Sequence, residues 1–225
     1  MWIKICGNTN LEDAQFAAAC GADAVGFVFA PSQRHVSLNL VREITSQLPA
    51  RIEKIGVFVD AGFHQIERAV LECELTGVQL HASFDLSLSI RLRDRFTALP
   101  AGVGMKILQV LHFGPDFEEQ LANLRSGTAA DAVLVDSRTA TAVGGTGTSF
   151  DWAAARRSFA TFSLPMIAAG GLRPENVEEA IKALQPWGVD VSSGVEASPG
   201  KKDPARVQAF INAARAAVPQ MKAGK

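Results

Sequence analysis

Short β-rich runs alternate with helix-length amphipathic segments from one end of the chain to the other, and this alternation narrows the choice of fold more than any other feature. The strand-like runs are Ile3–Cys6, Ala24–Phe29, Lys54–Val59, Gly77–His81, Gly104–Val110, Ala132–Asp136, Met166–Ala169 and Val189–Ser192. The helix-like runs between and after them are Leu11–Cys20, Leu38–Leu48, Phe63–Leu75, Asp85–Ala98, Asp116–Ser126, Trp152–Phe159, Pro174–Leu184 and Pro204–Ala217. Eight such units in 225 residues fit a single (β/α)8 barrel of the α/β class, a fold that commonly runs to about 250 residues. A doubly wound open sheet is the alternative and normally has fewer strands at this length. No Pro/Ser-rich linker or low-complexity segment divides the chain, so residues 1–225 read as one domain.

Local signals mark the ends of several units. Ser37 suits a helix N-cap, because its hydroxyl accepts from a first-turn N–H. Pro174 and Pro204 suit the first helical turn, where a missing N–H costs nothing. Gly21 suits the left-handed position that closes the first helix. Side chains alternate faces along a strand. Lys4 and Cys6 therefore oppose Ile3 and Ile5, and Gln79 and His81 oppose Val78 and Leu80. Lys106 opposes Met105 and Ile107, Asp136 opposes Val133 and Val135, and Asp190 and Ser192 oppose Val189 and Val191. Each of these strands has an apolar face for helices and a second face carrying polar groups near the carboxyl end. In a parallel barrel that second face points inward, and the carboxyl ends line the active-site mouth.

Composition excludes several classes. The formal charge is −1, which gives no electrostatic reason for a nucleic-acid or membrane partner. Three cysteines do not make a disulfide framework. The start Met-Trp-Ile-Lys lacks the features of a signal peptide, and no apolar run approaches the roughly 18 residues of a membrane span. The expectation is a soluble protein of a reducing, cytoplasmic compartment.

Three glycine-rich turns follow neighbouring strands. Gly144-Gly145-Thr146-Gly147 follows strand six, Ala169-Gly170-Gly171 ends strand seven, and Ser192-Ser193-Gly194 ends strand eight. Glycine lets backbone N–H groups approach an anion, and barrel phosphate sites are commonly built after strands seven and eight. The three together point to phosphate binding rather than to plain turns. Cys6 and Asp136 close strands one and six and can form an acid–base pair across the mouth. Alternatively, Cys6 is a buried strand thiol, and Asp136 caps a helix or partners an inward lysine. A free thiol has a pKa of about 8.5, so a basic Cys6 needs help, and Lys4 on the same face is the candidate source. Arg34 either forks onto a carboxylate or phosphate or is a solvated loop residue. His81 reads first as a satisfied strand-end histidine. Asp190 either orients a substrate hydroxyl or pairs with Lys4 across the closing strands. Cys20 and Cys73 read as packing. There is no metal-ligand spacing, no G-x-G-x-x-G fingerprint after a strand, and the GGTG loop is too short for a Walker motif.

Taken in order, KICGNTNLEDAQFAAACGADAVGFVFAPSQRHVS, IGVFVD, VQLH, VLVDS, GGTGTSFDW, AAGGLRPENVEEAI and GVDVSSGVEASPGKKDPARVQAFI resemble the phosphoribosylanthranilate isomerase family of tryptophan biosynthesis. The resemblance implies a (β/α)8 barrel that needs no cofactor or metal and takes a small phosphoribosyl substrate. It implies an Amadori rearrangement of N-(5-phosphoribosyl)anthranilate, with Asp136 as general acid and Cys6 as general base. It further implies that Arg34 holds the anthranilate carboxylate, and that His81 and Asp190 line the pocket. The phosphate then falls to Gly145, Thr146, Gly147, Gly170, Gly171, Ser192, Ser193 and Gly194. The chain departs from the family pattern in two places. Ala82-Ser83 follow VQLH where glycine and an acidic or amide residue are usual, and His35 stands where tyrosine is common. The nearest alternatives are another phosphosugar aldose–ketose isomerase barrel and a non-catalytic phosphoribosyl-binding barrel. The first expects acidic residues at the ends of strands one and five, where this chain has Cys6 and Gln109-Val110. The second has no use for an acid–base pair. A monomer is favoured over a homodimer.

Overall fold

The computed structural model describes residues 1–81, 85–97, 104–125, 127–136, 156 and 162–217. Eight parallel strands close into a barrel in chain order, β1 (Trp2–Ile5), β2 (Ala24–Val28), β3 (Glu53–Val59), β4 (Gly77–His81), β5 (Lys106–His112), β6 (Ala132–Asp136), β7 (Met166–Ala169) and β8 (Gly188–Val191). Closure runs from Trp2 opposite Gly188 to Ile5 opposite Val191. Seven helices accompany the strands among the described residues: α1 (Leu11–Ala19), α2 (Leu38–Thr45), α3 (Phe63–Glu72), α4 (Leu86–Thr97), α5 (Phe117–Arg125), α6 (Val177–Leu184) and α7 (Pro204–Ala216). The expected helix Trp152–Phe159 lies outside the described residues except for Arg156.

Strand parity sorts the core into two parts. Outward residues such as Ile3, Ile5, Val78, Ile107, Val133, Val135 and Val189 pack with the helices. Inward residues, among them Trp2, Ile55, Leu108, Leu134 and Ile167, form a separate cluster that fills the barrel. At its amino end Lys106 Nζ bonds both Glu53 carboxylate oxygens at 2.6 and 2.7 Å and sits over the stacked rings of Trp2 and Trp187. Lys106 thus seals the floor, unlike the polar groups at the strands' carboxyl ends.

The start signals operate as read at most ends. Ser37 accepts from the Leu40 N–H, Pro204 opens α7 behind the Asp203 cap, and Gly21 follows α1 with φ 95°. Pro174 is the exception. It lies in a turn in which the Asn176 side chain accepts from the Arg173 N–H, while Asn176 and Val177 both donate to the Arg173 carbonyl. The helix begins only at Val177. Strand five is displaced toward the carboxyl end of its expected range, because Leu111 and His112 stay in register with Val135 and Asp136. It therefore ends at His112 rather than at Gln109-Val110. Strand eight ends at Val191, and a one-turn 3-10 helix (Ser193–Val195) leads into a hairpin of β9 (Glu196–Ser198) and β10 (Lys201–Lys202).

Candidate active site

The carboxyl ends of β1, β4, β6, β7 and β8 surround one cavity. Cys6, Arg34, His81, Asp136, Gly170, Gly171, Asp190, Ser192, Ser193 and Gly194 all line it. Of the expected site residues, Gly145, Thr146 and Gly147 lie outside the described residues, as do Ala82 and Ser83 of the fourth loop.

Cys6 stands one residue beyond β1, its N–H still bonded to the Val191 carbonyl at 2.8 Å. It is 7 % exposed. Burial pushes its thiol above the ordinary value, and the nearby Asp190 carboxylate adds to that, while Lys4 and Lys202 pull it back. Room for the thiol comes from Gly26 on β2, where a Cβ would fall 2.8 Å from Cys6 Sγ and 2.9 Å from Lys4 Cε.

Beneath Cys6, Lys4 is fully buried and donates to Asp190 Oδ1 at 3.0 Å and to Gln79 Oε1 at 2.7 Å. Burial alone would lower the pKa of an ammonium. Asp190 and Cys6 outweigh it, and Lys4 is held above its ordinary value. Asp190 therefore pairs with Lys4 across the closing strands and lines the cavity as well. Asp136 ends β6 at 9 % exposure, facing the same cavity. Gly170 and Gly171 follow β7 with φ of 82° and 66°, in the left-handed region that favours glycine.

Arg34 forks onto a carboxylate belonging to the chain itself. Its Nε and one terminal nitrogen donate to the two oxygens of Glu196, at 2.8 and 2.6 Å. Glu196 also accepts from Lys202 Nζ at 3.1 Å. Burial alone would raise the Glu196 carboxyl. Arg34 and Lys202 outweigh it and hold the carboxyl below its ordinary value. Lys202 is itself buried, and its ammonium donates to the Cys6 carbonyl at 2.5 Å. Desolvation lowers its pKa, and Glu196 and Cys6 only partly restore it. The β9–β10 hairpin thus aims Arg34 and braces the Cys6 peptide. The sequence reading did not assign Glu196, Lys202 or Gln79. Gln79 was accessible through parity, which sets it on the face of His81. The other two meet their partners only when the hairpin folds back over β1.

Among the described residues, no group of three or more His, Cys, Asp and Glu side chains is arranged to hold a metal ion. No helix among them is long and apolar enough to cross a membrane. The arrangement provides a thiol and a carboxyl facing one cavity, with a glycine turn, a serine pair and a guanidinium around its rim.

Known proteins resemble this chain along almost its whole length. The family model for N-(5'-phosphoribosyl)anthranilate (PRA) isomerase matches residues 3–213. The N-(5'-phosphoribosyl)anthranilate isomerase of Bacillus cereus is 40% identical over 209 residues, covering 93% of this chain and 96% of that protein. The crystal structure of phosphoribosyl anthranilate isomerase from Thermotoga maritima superposes with a TM-score of 0.84 at 37% identity, covering 96% of this chain and 99% of that one. A phosphoribosyl anthranilate isomerase in complex with reduced 1-(o-carboxyphenylamino)-1-deoxyribulose 5-phosphate superposes at 0.79 with 35% identity, again covering 96% and 99%. With the fold and the length of the match in agreement, the chain belongs to the N-(5'-phosphoribosyl)anthranilate isomerase family.

Proposed function

We propose that this protein isomerises N-(5'-phosphoribosyl)anthranilate to 1-(o-carboxyphenylamino)-1-deoxyribulose 5-phosphate, a step of tryptophan biosynthesis. The observation that carries the reading is the presence of Cys6 and Asp136 on one cavity in a chain of this family. Asp136 donates a proton to the ribose ring oxygen as the C1–O bond breaks, and the anilino nitrogen forms a Schiff base with C1. The Cys6 thiolate then removes the proton from C2. The electron pair moves through C1 to nitrogen and leaves an enolamine, which tautomerises to the ketone. The Schiff-base nitrogen is the electron sink, so side-chain acid and base supply the chemistry the rearrangement requires. Acid–base groups of this kind typically contribute about 10² to 10⁴ each in rate.

Arg34, aimed by Glu196, keeps donors for the anthranilate carboxylate, since a guanidinium has more N–H groups than the two Glu196 engages. The turn Gly170-Gly171 and the segment Ser192–Gly194, with Gly145, Thr146 and Gly147, receive the phosphate. His81 and Asp190 line the sugar and ring positions. Residues 1–225 act as one domain. Free Cys6, Cys20 and Cys73 support a reducing, cytoplasmic setting. The protein acts as a monomer in this reading. Light scattering on the purified chain gives its mass directly, and a stable dimer would overturn that part of the reading.

The test of the reaction is the loss of anthranilate-type fluorescence from freshly generated substrate. Wild type turns over, and Cys6→Ser and Asp136→Asn each lose about 10²-fold or more while remaining folded. An inactive wild type overturns the assignment, and a fully active Cys6→Ser removes the thiol from the role of base.

A further inference from the structure

A buried polar chain crosses the floor of the cavity from β8 to β4. Asp190 Oδ1 accepts from Lys4 Nζ at 3.0 Å, Gln79 Oε1 accepts from the same ammonium at 2.7 Å, and Gln79 Nε2 lies 2.7 Å from His81 Nε2. Chemistry fixes the direction of every bond. An ammonium only donates, so the Gln79 atom facing Lys4 is its carbonyl oxygen. The other end of the amide is then the NH2 group, which also only donates. His81 Nε2 must therefore accept, and a ring nitrogen that accepts carries no proton.

We propose that Gln79 is a positioning residue that holds His81 as the neutral Nδ1–H tautomer. The ring then meets whatever occupies the cavity as an uncharged imidazole. It brings no positive charge to an anionic ligand and has no imidazolium proton to give at neutral pH. The tautomer follows from the bonds alone and holds whichever substrate the cavity takes.

Other titratable groups share the cavities that His81 borders, Asp60, Asp116 and Glu119 in one and Cys6, Arg34, Asp136 and Asp190 in the other, and the His112 ring centroid is 6.0 Å away. The carboxylates favour an imidazolium, and His112 disfavours one when charged. Against the carboxylates, a proton on Nε2 would set two donors face to face at 2.7 Å. The alternative is for the amide to turn, which would present a donor to the buried Lys4 ammonium instead. Either mismatch outweighs carboxylates at the open side of the ring.

The test is a long-range proton–nitrogen correlation spectrum of the full-length ¹⁵N-labelled protein. The chain has four histidines, and His81→Gln identifies the signals of this ring. At pH 7.5 the expected pattern is an unprotonated Nε2 and a protonated Nδ1. An Nε2–H or an imidazolium at pH 7.5 overturns the proposal. In Gln79→Glu a carboxylate oxygen replaces the donor, so the tautomer switches to Nε2–H and proton uptake moves to higher pH than in wild type. An unchanged tautomer in that variant also overturns it. If Gln79→Glu does not fold, Gln79→Met removes the donor without adding charge. The expected result is then a mixture of both tautomers, and retention of the pure wild-type pattern overturns the role of Gln79.

Discussion

Cys6 is buried more deeply than a free nucleophile usually is, and the net effect is a thiol harder to ionise than an ordinary one. If its thiolate is the base, kcat/KM rises with pH and levels off only above the ordinary thiol value of about 8.5. Lys4→Met removes the strongest downward pull and shifts that rise to still higher pH. The same substitution leaves Asp190 without its ammonium and costs about 3–5 kcal/mol of stability, measurable by urea denaturation. Gly26→Ala tests the geometry rather than the charge. Its methyl group pushes Sγ and the Lys4 stem aside, and kcat falls by about 10²-fold with little change in KM. At this scale the sequence showed the thiol, the carboxyl and the inward lysine, because parity along a strand is a local property. It did not show what Arg34 binds. Glu196 is 162 positions away along the chain, and neither spacing nor residue type announces the pair.

The β9–β10 hairpin is the element that joins Arg34, Cys6 and α1. Besides its bonds to Glu196 and to the Cys6 carbonyl, Lys202 donates its backbone N–H to the buried Asp13 of α1 at 2.8 Å. Because the folded Glu196 carboxyl lies below its ordinary value of about 4.3, its stabilisation is fully present above that pH and is lost as pH falls through the folded value. Glu196→Gln is expected to destabilise by about 2 kcal/mol at pH 7, and the gap to wild type narrows at pH 3. Urea midpoints at the two pH values check this. Further along, Asp203 accepts from the Ala205 and Arg206 N–H groups at 2.9 and 3.1 Å. Asp203→Ala therefore costs about 1 kcal/mol in the same assay. Element type was legible wherever periodicity was strong. Boundaries failed where a side chain made an unforeseen local bond, as Asn176 does before α6, or where pairing with a neighbouring strand extended an edge, as at His112.

On the scale of the whole molecule, the inner cluster is assembled from strands in both halves of the chain, so a cavity there is felt by all of them. Leu108 is fully buried within it. Leu108→Ala is expected to lose about 2–5 kcal/mol, read as a shift of one cooperative thermal transition by circular dichroism. Eight alternating units and the parity of their strands were enough to foresee closure. Closure in turn brought Cys6, Asp136 and Asp190 to one cavity, though no two of them are near neighbours along the chain.

The closing seam has a consequence for the chain as it is made. Cys6 directly follows β1, yet its strand neighbour Val191, the paired Asp190 and the bracing Lys202 all lie beyond position 189. A ribosome-bound chain therefore carries this thiol outside its finished setting until β8 and the hairpin after it have emerged. Cys6 is translated long before Asp190 and Lys202, yet it acquires its chemical character only after them.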